Sequence, residues 1–167
     1  MKKIIIVLLI VLGGCKNCPC LDSRLTPVFI GFSSSDIDTL VLRAYIPNDG
    51  FSQLIDTVEL AYGGWKLNDS DSIFVDTSGY GSASNTVKYG FQDLTQGHDW
   101  SIYLPAVDTT IYISEIIDSV WEMKNCQLEM TCWNPIKSCV VNGKFIRIEY
   151  MDYGNSYKGY LLYINKK

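Results

Sequence analysis

Hydrophobic and polar side chains alternate with a period of two along most of the chain. Residues 38–46 give the clearest example, because β-branched, aromatic and aliphatic residues there follow the pattern of a half-buried strand. The turn residues of segment 47–50 then end the run. The same pattern recurs in segments 28–32, 55–62, 72–75, 86–91, 100–104, 110–114, 119–130, 144–151 and 158–164. Short strands separated by Gly, Pro, Asn and Asp predict an all-β fold.

We expect these strands to form an antiparallel β-sandwich of the immunoglobulin-like kind. The alternative that the strand number allows is a closed up-and-down β-barrel. The strongest turn signal is Asn142-Gly143, which lies between apolar segments 140–141 and 145–146 and predicts a hairpin with a two-residue type I′ turn. Only two short windows, 51–55 and 116–120, are compatible with helix.

The N-terminal residues follow a different pattern. Lys2 and Lys3 precede an unbroken apolar run over residues 4–12, which is typical of a signal peptide and too short to span a bilayer as a helix. The run ends in Leu12-Gly13-Gly14-Cys15, which resembles the lipobox of bacterial lipoproteins. In that motif the cysteine marks the start of the mature protein.

The resemblance implies that the membrane is a partner through acyl chains on Cys15, added to its sulfur and, after cleavage, to its new amine. Several acyl chains hold a protein on a membrane where a single chain does not. Lys16 stands where an aspartate would, in that family, favour the inner membrane, so we expect the outer membrane, on its periplasmic face or at the cell surface. The chain then divides into a signal peptide, a lipidated N-terminal tether and a single β-sandwich domain, over residues 1–14, 15–27 and 28–167.

Composition narrows the classes of function. The chain has 167 residues, with 18 acidic against 14 basic side chains and 1 histidine. Cleavage before Cys15 would leave 167 − 14 = 153 residues and remove two lysines, so the net charge becomes 12 − 18 = −6. An acidic body without basic runs is a poor partner for nucleic acid. Because His98 stands alone, metal sites built on several histidines are excluded, and we expect no cofactor and no metal.

Export would place the remaining cysteines in an oxidising compartment, where disulfides persist. The chain has 6 cysteines, and those other than Cys15 are Cys18, Cys20, Cys126, Cys132 and Cys139. We predict a Cys132–Cys139 bridge that closes the loop before the hairpin, with Cys126 reaching back to Cys18 or Cys20. The alternative for Cys18 and Cys20 is a copper site.

Catalytic signals are sparse, and we assign no catalytic residue. His98 precedes Asp99 in a glycine-containing turn, where a general base is one interpretation and a solvated loop residue the other. A glycosidase needs only two carboxylates at a set separation, so the acidic residues leave that chemistry open. Segment 68–71 with Asp76 has the oxygen-ligand density of a calcium loop but lacks the glycine and glutamate that an EF-hand requires.

Tryptophans in turns are the binding candidates. Trp65 and Trp133 lie in predicted loops, where exposed rings offer flat surfaces for sugars or peptide side chains. Trp100 and Trp121 lie in predicted strands and are expected to fill the core.

Two hypotheses about function follow. The first is a non-enzymatic, lipid-anchored binding or structural module for an envelope protein or a glycan, similar to small envelope lipoproteins with an immunoglobulin-like or transthyretin-like body. The second is a small envelope hydrolase that cleaves glycan or peptide with paired carboxylates. Architecture alone does not decide between them.

Overall fold

The computed structural model describes residues 18–61, 65–66, 72–74, 94–120, 122–123, 132–152 and 158–166. Two single-turn 3₁₀ helices span Ser34–Asp36 and Pro105–Val107. All other regular elements are strands: β1 (Cys18–Pro19), β2 (Leu21–Asp22), β3 (Arg24–Ile30), β4 (Thr39–Tyr45), β5 (Leu54–Ala61), β6 (Trp65–Lys66), β7 (Ser72–Phe74), β8 (Leu94–Thr95), β9 (Asp99–Leu104), β10 (Thr109–Asp118), β11 (Glu122–Met123), β12 (Trp133–Asn134), β13 (Ile136–Val141), β14 (Lys144–Arg147), β15 (Tyr150–Asp152) and β16 (Lys158–Asn165).

The described strands form two large sheets and two short ladders. The first sheet has the order β14-β13-β10-β9-β4-β5, with every neighbouring pair antiparallel. The second has the order β15-β16-β3-β7-β6, with β8 also paired to β3, and its β3–β16 pair is parallel. The short ladders join β1 to β11 and β2 to β12, the second of them in parallel.

One hydrophobic core lies between the two large sheets. In β4, Leu40, Leu42 and Ala44 are buried and the side chains between them are half-buried, which is the period-two pattern that the sequence predicts. These residues belong to one cluster with Phe29 and Leu162 of the second sheet. Each large apolar side chain buried in this way stabilises the fold by about 1.5–3 kcal/mol. The predicted all-β sandwich is therefore confirmed, and the barrel alternative is wrong for the described strands.

The predicted hairpin is also confirmed. Asn142 and Gly143 have φ values of 48° and 77°, and Val141 pairs with Lys144 across a two-residue turn. Both central residues of a type I′ turn need positive φ, which asparagine and glycine tolerate best. The turn is also fastened to β10, because the Asn142 backbone N–H donates to the carbonyl of Tyr112 and the Asn142 side chain accepts from the Tyr112 N–H.

Several predicted boundaries differ from the structure. Neither helix window is helical: β5 begins inside the first, and β10 runs through most of the second to Asp118. β10 is paired on both sides, with β9 and β13, and this pairing overrides the local preference. The body also begins before residue 28, because β1, β2 and the start of β3 fall within the predicted tether. Predicted strand 86–91 lies outside the described residues.

The disulfide prediction was wrong in its main pairing. Cys132 is bonded to Cys20, with a Cα–Cα distance of 4.9 Å, and Cys139 is a free, fully buried thiol of the core. Each bridged cysteine directly precedes one strand of the parallel β2–β12 ladder, and the Leu21 N–H donates to the Cys132 carbonyl at 3.0 Å. This ladder joins segments far apart in sequence, so a local loop argument misses it.

Two further cysteine hypotheses change with that bridge. Copper binding by Cys18 and Cys20 together is contradicted, because the Cys20 sulfur is already bonded. Of the two partners predicted for Cys126, Cys20 is excluded for the same reason. Cys126 itself lies outside the described residues, so its pairing with Cys18 stays a prediction.

The Cys139 thiol is expected to resist modification in the folded protein. Burial raises its pKa to about 12, and only the thiolate reacts readily with alkylating agents. Iodoacetamide should therefore label Cys139 in guanidinium chloride but not in native buffer, as measured by mass spectrometry of the peptide that carries it. Rapid labelling of the native protein at this residue would contradict the buried position.

Candidate functional site

A cleft of about 310 Å³ lies at one end of the sandwich. It is lined by Asp22, Pro47, Asn48, Gln96, Gly97, His98, Asp99, Glu115 and Ile116. These residues come from four separate parts of the chain. The end of β4, the start of β9 and the last part of β10 lie together at one end of the first sheet, because neighbouring strands there are antiparallel. The short β2 strand supplies the remaining side.

Asp99 is the most deeply buried acidic residue of the cleft. It is 3% exposed, and its Oδ2 accepts a hydrogen bond of 2.9 Å from the backbone N–H of Asn48. A buried carboxylate needs such donors to offset its loss of hydration. The bond also fixes the loop between β4 and β5 against the start of β9, so one wall of the cleft is held in place.

His98 lines the same cleft beside Asp99. It is half-buried, and its ring lies edge-on to Trp100 with 5.6 Å between centroids. The solvated-loop interpretation of this histidine is therefore too simple, because an aromatic neighbour packs against its ring. The structure brings the predicted candidates His98 and Asp99 into one site.

Asp118 and the cleft residue Asp22 form a pair of neighbouring carboxyl groups. Asp118 is 9% exposed at the end of β10, and burial is the main cause of its raised pKa, followed by the negative charge of Asp22. Lys137 acts in the opposite direction. Asp22 itself accepts a hydrogen bond of 3.1 Å from the side-chain amide of Asn134. Two neighbouring carboxyls with different environments are the arrangement that acid–base catalysis uses.

Gln96 connects this pair to the rim of the cleft. With its amide nitrogen turned toward Asp118, as the surrounding donors and acceptors require, it donates to both carboxylate oxygens at 2.5 and 2.7 Å. The amide thereby partly offsets the lost hydration of the buried carboxyl group. It also connects the turn before β9 to the end of β10.

The backbone of the cleft is unusual. Asn48, Gly97 and Glu115, which all line it, have positive φ values of 62°, 91° and 49°. Glu115 lies where the β10–β13 register shifts, between Ser114 and Ile117, so the strand bulges at this point. Left-handed backbone at residues other than glycine costs free energy, and such residues and bulges concentrate at functional sites.

An aromatic group lies next to the cleft on the first sheet. Phe51, from the same loop as Asn48, packs between Tyr45 and Tyr112 with centroid distances of 5.4 and 4.8 Å. Tyr112 is 42% exposed and precedes Glu115 by three residues, which is ~10 Å along the strand. The group therefore places one exposed aromatic ring, that of Tyr112, near the cleft on the same sheet.

The predicted binding tryptophans lie elsewhere. Trp133 is 53% exposed in β12, so its ring is accessible, although its role in binding stays a prediction. Trp65 belongs to β6 at the edge of the second sheet, and its side chain lies outside the described part. The predicted core residue Trp100 is confirmed as buried, whereas Trp121 is not among the described residues.

Sequence reasoning missed most of the cleft. It singled out His98 and Asp99 but not Asp22 or Glu115, nor the neighbouring ring of Phe51, because these residues come together only through the sheet pairing. The one local signal was the run of turn residues that precedes Phe51.

The described residues contain no group of three or more His, Cys, Asp or Glu side chains placed to hold a metal ion. The calcium hypothesis for segment 68–71 and Asp76 falls outside the described residues.

In comparisons with known proteins, no family model, curated protein or solved structure matches the chain. Within the part of the chain that the structure describes, no helix has the length and apolar character needed to cross a membrane.

Proposed function

We propose that the protein is a lipid-anchored, non-enzymatic binding module of the bacterial cell envelope, and that its cleft binds an envelope glycan. The observation that carries this proposal is the cleft itself, whose carboxylates lie near the exposed ring of Tyr112 on the same sheet. Hydroxyl groups of sugars donate to carboxylates such as Glu115, and sugar rings stack on aromatic faces such as that of Tyr112. The preset left-handed backbone favours a rigid site that needs little ordering on binding.

Two features support the envelope location. The N-terminal lipobox resemblance supplies the anchor at Cys15. The Cys20–Cys132 disulfide joins residues that are 112 positions apart, and such bridges persist in oxidising compartments outside the cytoplasm.

Lipidation is expected to depend on Cys15 alone. In cells fed an alkyne-tagged fatty acid, the wild-type protein should become labelled. Cys15→Ala should carry no label, because no other thiol lies in the lipobox. Cys18→Ala is the matched control and should stay labelled. In-gel fluorescence of the purified proteins measures the outcome, and label retained by Cys15→Ala would rule out this anchor.

Glycan binding is expected to weaken about tenfold in Phe51→Asn, because the lost ring contact is worth about 1.4 kcal/mol. Asparagine tolerates the left-handed backbone that Phe51 adopts with φ 64°, so the change removes the ring without adding strain. Glu115→Gln should weaken binding through its lost charge. Isothermal titration calorimetry with peptidoglycan fragments and envelope oligosaccharides measures both effects.

The matched control for this experiment is Phe145→Ala. Phe145 is a 66% exposed ring on the edge strand β14, two strands from β10 and outside the residues that line the cleft, and its loss should leave affinity unchanged. Equal affinities of wild type and Phe51→Asn for every glycan that binds would count against the cleft. If the protein binds an envelope protein and binds no glycan, its partner is a protein and not a glycan.

A second candidate function is hydrolysis of the bound glycan. It rests on Asp118, whose raised pKa suits a general acid, and on the neighbouring Asp22 as the second carboxylate. An acid must be protonated, so the rate would fall as the pH rises through the pKa of Asp118. Turnover of the same glycans, lowered at least about 100-fold in Asp118→Asn, would establish this activity. The absence of turnover across the panel would leave the binding function.

A further inference from the structure

Two exposed apolar residues lie side by side close to the N-terminus. Leu21 and Trp133 are paired in the parallel β2–β12 ladder and are 51% and 53% exposed. We call them the Leu21–Trp133 face. The next pair of the ladder, Asp22 and Asn134, projects to the opposite side, where Asn134 is 4% exposed and donates to Asp22. The ladder thus has an apolar outer side and a polar inner side that borders the cleft.

A third exposed apolar residue lies close to the ladder. The Ser119 N–H donates to the Pro135 carbonyl at 2.9 Å, which places the end of β10 against the end of β12. Val120, the next residue, is 80% exposed. Contiguous exposed apolar surface marks sites that contact a membrane or a protein partner.

The length of chain before this face sets how far it can lie from a lipid anchor. β1 starts at Cys18, three residues after Cys15, and three extended residues span at most ~11 Å. The headgroup layer of one leaflet is itself ~5–7 Å thick. The chain is also fixed at Cys20 by the bridge to Cys132. The start of β1 in a body tethered at Cys15 can therefore lie at most ~4–6 Å beyond the headgroup layer.

The chemistry of the face fits the headgroup region. Tryptophan concentrates at membrane interfaces, where its ring is partly buried and its N–H stays hydrated, and leucine adds apolar contact. The mature chain would carry a charge of 12 − 18 = −6, so anionic headgroups do not attract it. Apolar contact next to the anchor is the attraction that remains.

We propose that the Leu21–Trp133 face rests in the headgroup region of the bilayer that carries the anchor, a proposal that depends on lipidation of Cys15. The body is then held in one orientation against the membrane. Asp22 lies on the other side of the same two-residue strand, so the cleft opens just above the lipid surface. The glycans it meets are those at the membrane, not those free in solution.

Quenching by brominated lipids tests this position. The full lipoprotein is reconstituted into vesicles of phosphatidylethanolamine and phosphatidylglycerol, with or without bromine on the acyl chains close to the headgroup. The wild type should lose tryptophan emission in the brominated vesicles, and Trp133→Phe should lose most of that quenching. Adding Phe145→Trp to Trp133→Phe is the matched control, because Phe145 pairs with Val140 at the end of β13 remote from Trp133 and the new ring should not be quenched.

The outcomes separate the two proposals. Mass spectrometry of the N-terminal peptide first establishes whether acyl chains are present, and a peptide without them overturns both the anchor and the docked orientation. An acylated protein with the same quenching in wild type and Trp133→Phe overturns the orientation only. An acylated protein whose Trp133 is shielded by a cross-linked second copy of the chain also overturns it.

Discussion

Replacement of both Cys20 and Cys132 by serine is expected to lower the free energy of unfolding by about 4–5 kcal/mol. The bridge joins residues 112 positions apart, so it removes a large amount of conformational freedom from the unfolded chain. Typical domains are stable by only about 5–15 kcal/mol, so the loss takes a large share of the total. Denaturant unfolding followed by tryptophan fluorescence measures it.

Two comparisons make the disulfide experiment specific. Wild-type protein whose bridge has been reduced and blocked should unfold at the same denaturant concentration as the double variant. Cys139→Ala, which removes the buried free thiol, should cost about 1 kcal/mol, the usual size for a small core truncation. A double variant as stable as the wild type would mean that the bridge does not constrain the unfolded chain.

Trp100→Ala is expected to destabilise the protein by about 3–5 kcal/mol. Trp100 is 2% exposed in the central part of the core, and its indole N–H donates to the Thr95 carbonyl at 3.0 Å. The change therefore opens a cavity and leaves a carbonyl without its donor. It also removes the ring against which His98 packs, so the cleft should lose order. Thermal unfolding monitored by circular dichroism measures the loss.

Further tryptophan variants separate the contribution of apolar contact from that of the hydrogen bond in the stability loss of Trp100→Ala. Trp100→Phe keeps most of the apolar contact but loses the hydrogen bond, and we expect a cost of about 1–3 kcal/mol from the unpaired carbonyl. Trp133→Ala changes an exposed ring and should stay within about 0.5 kcal/mol of the wild type. Similar losses for Trp100→Ala and Trp133→Ala would show that burial does not govern these positions.

The parts of the fold that the sequence predicts are those set by local chemistry. β4 is visible because its side chains alternate in and out of a sheet, and the Asn142-Gly143 turn is visible because few residues adopt its backbone angles. Trp100 is correctly placed in the core by its strand. In each case the information lies within a few consecutive residues.

The cleft and the disulfide depend on pairing between distant segments. β2 and β12 are two residues long, too short to show any period, and their pairing brings Cys20 to Cys132. Glu115 reaches the cleft through a bulge in the middle of a strand, which has no signature in its own sequence. The sequence therefore indicates His98 and Asp99 as candidates but does not predict which residues share the cleft with them.

The parallel pairing of β3 with β16 has a mechanical consequence. The two strands run side by side in the same direction, from the Leu25–Tyr160 pair to the Ile30–Asn165 pair. A force that pulls the start of β3 and the end of β16 apart acts along both strands, so the hydrogen bonds between them share the load together instead of breaking one by one. Such a ladder resists tension in shear, and the sandwich should transmit a pull along its length without unzipping.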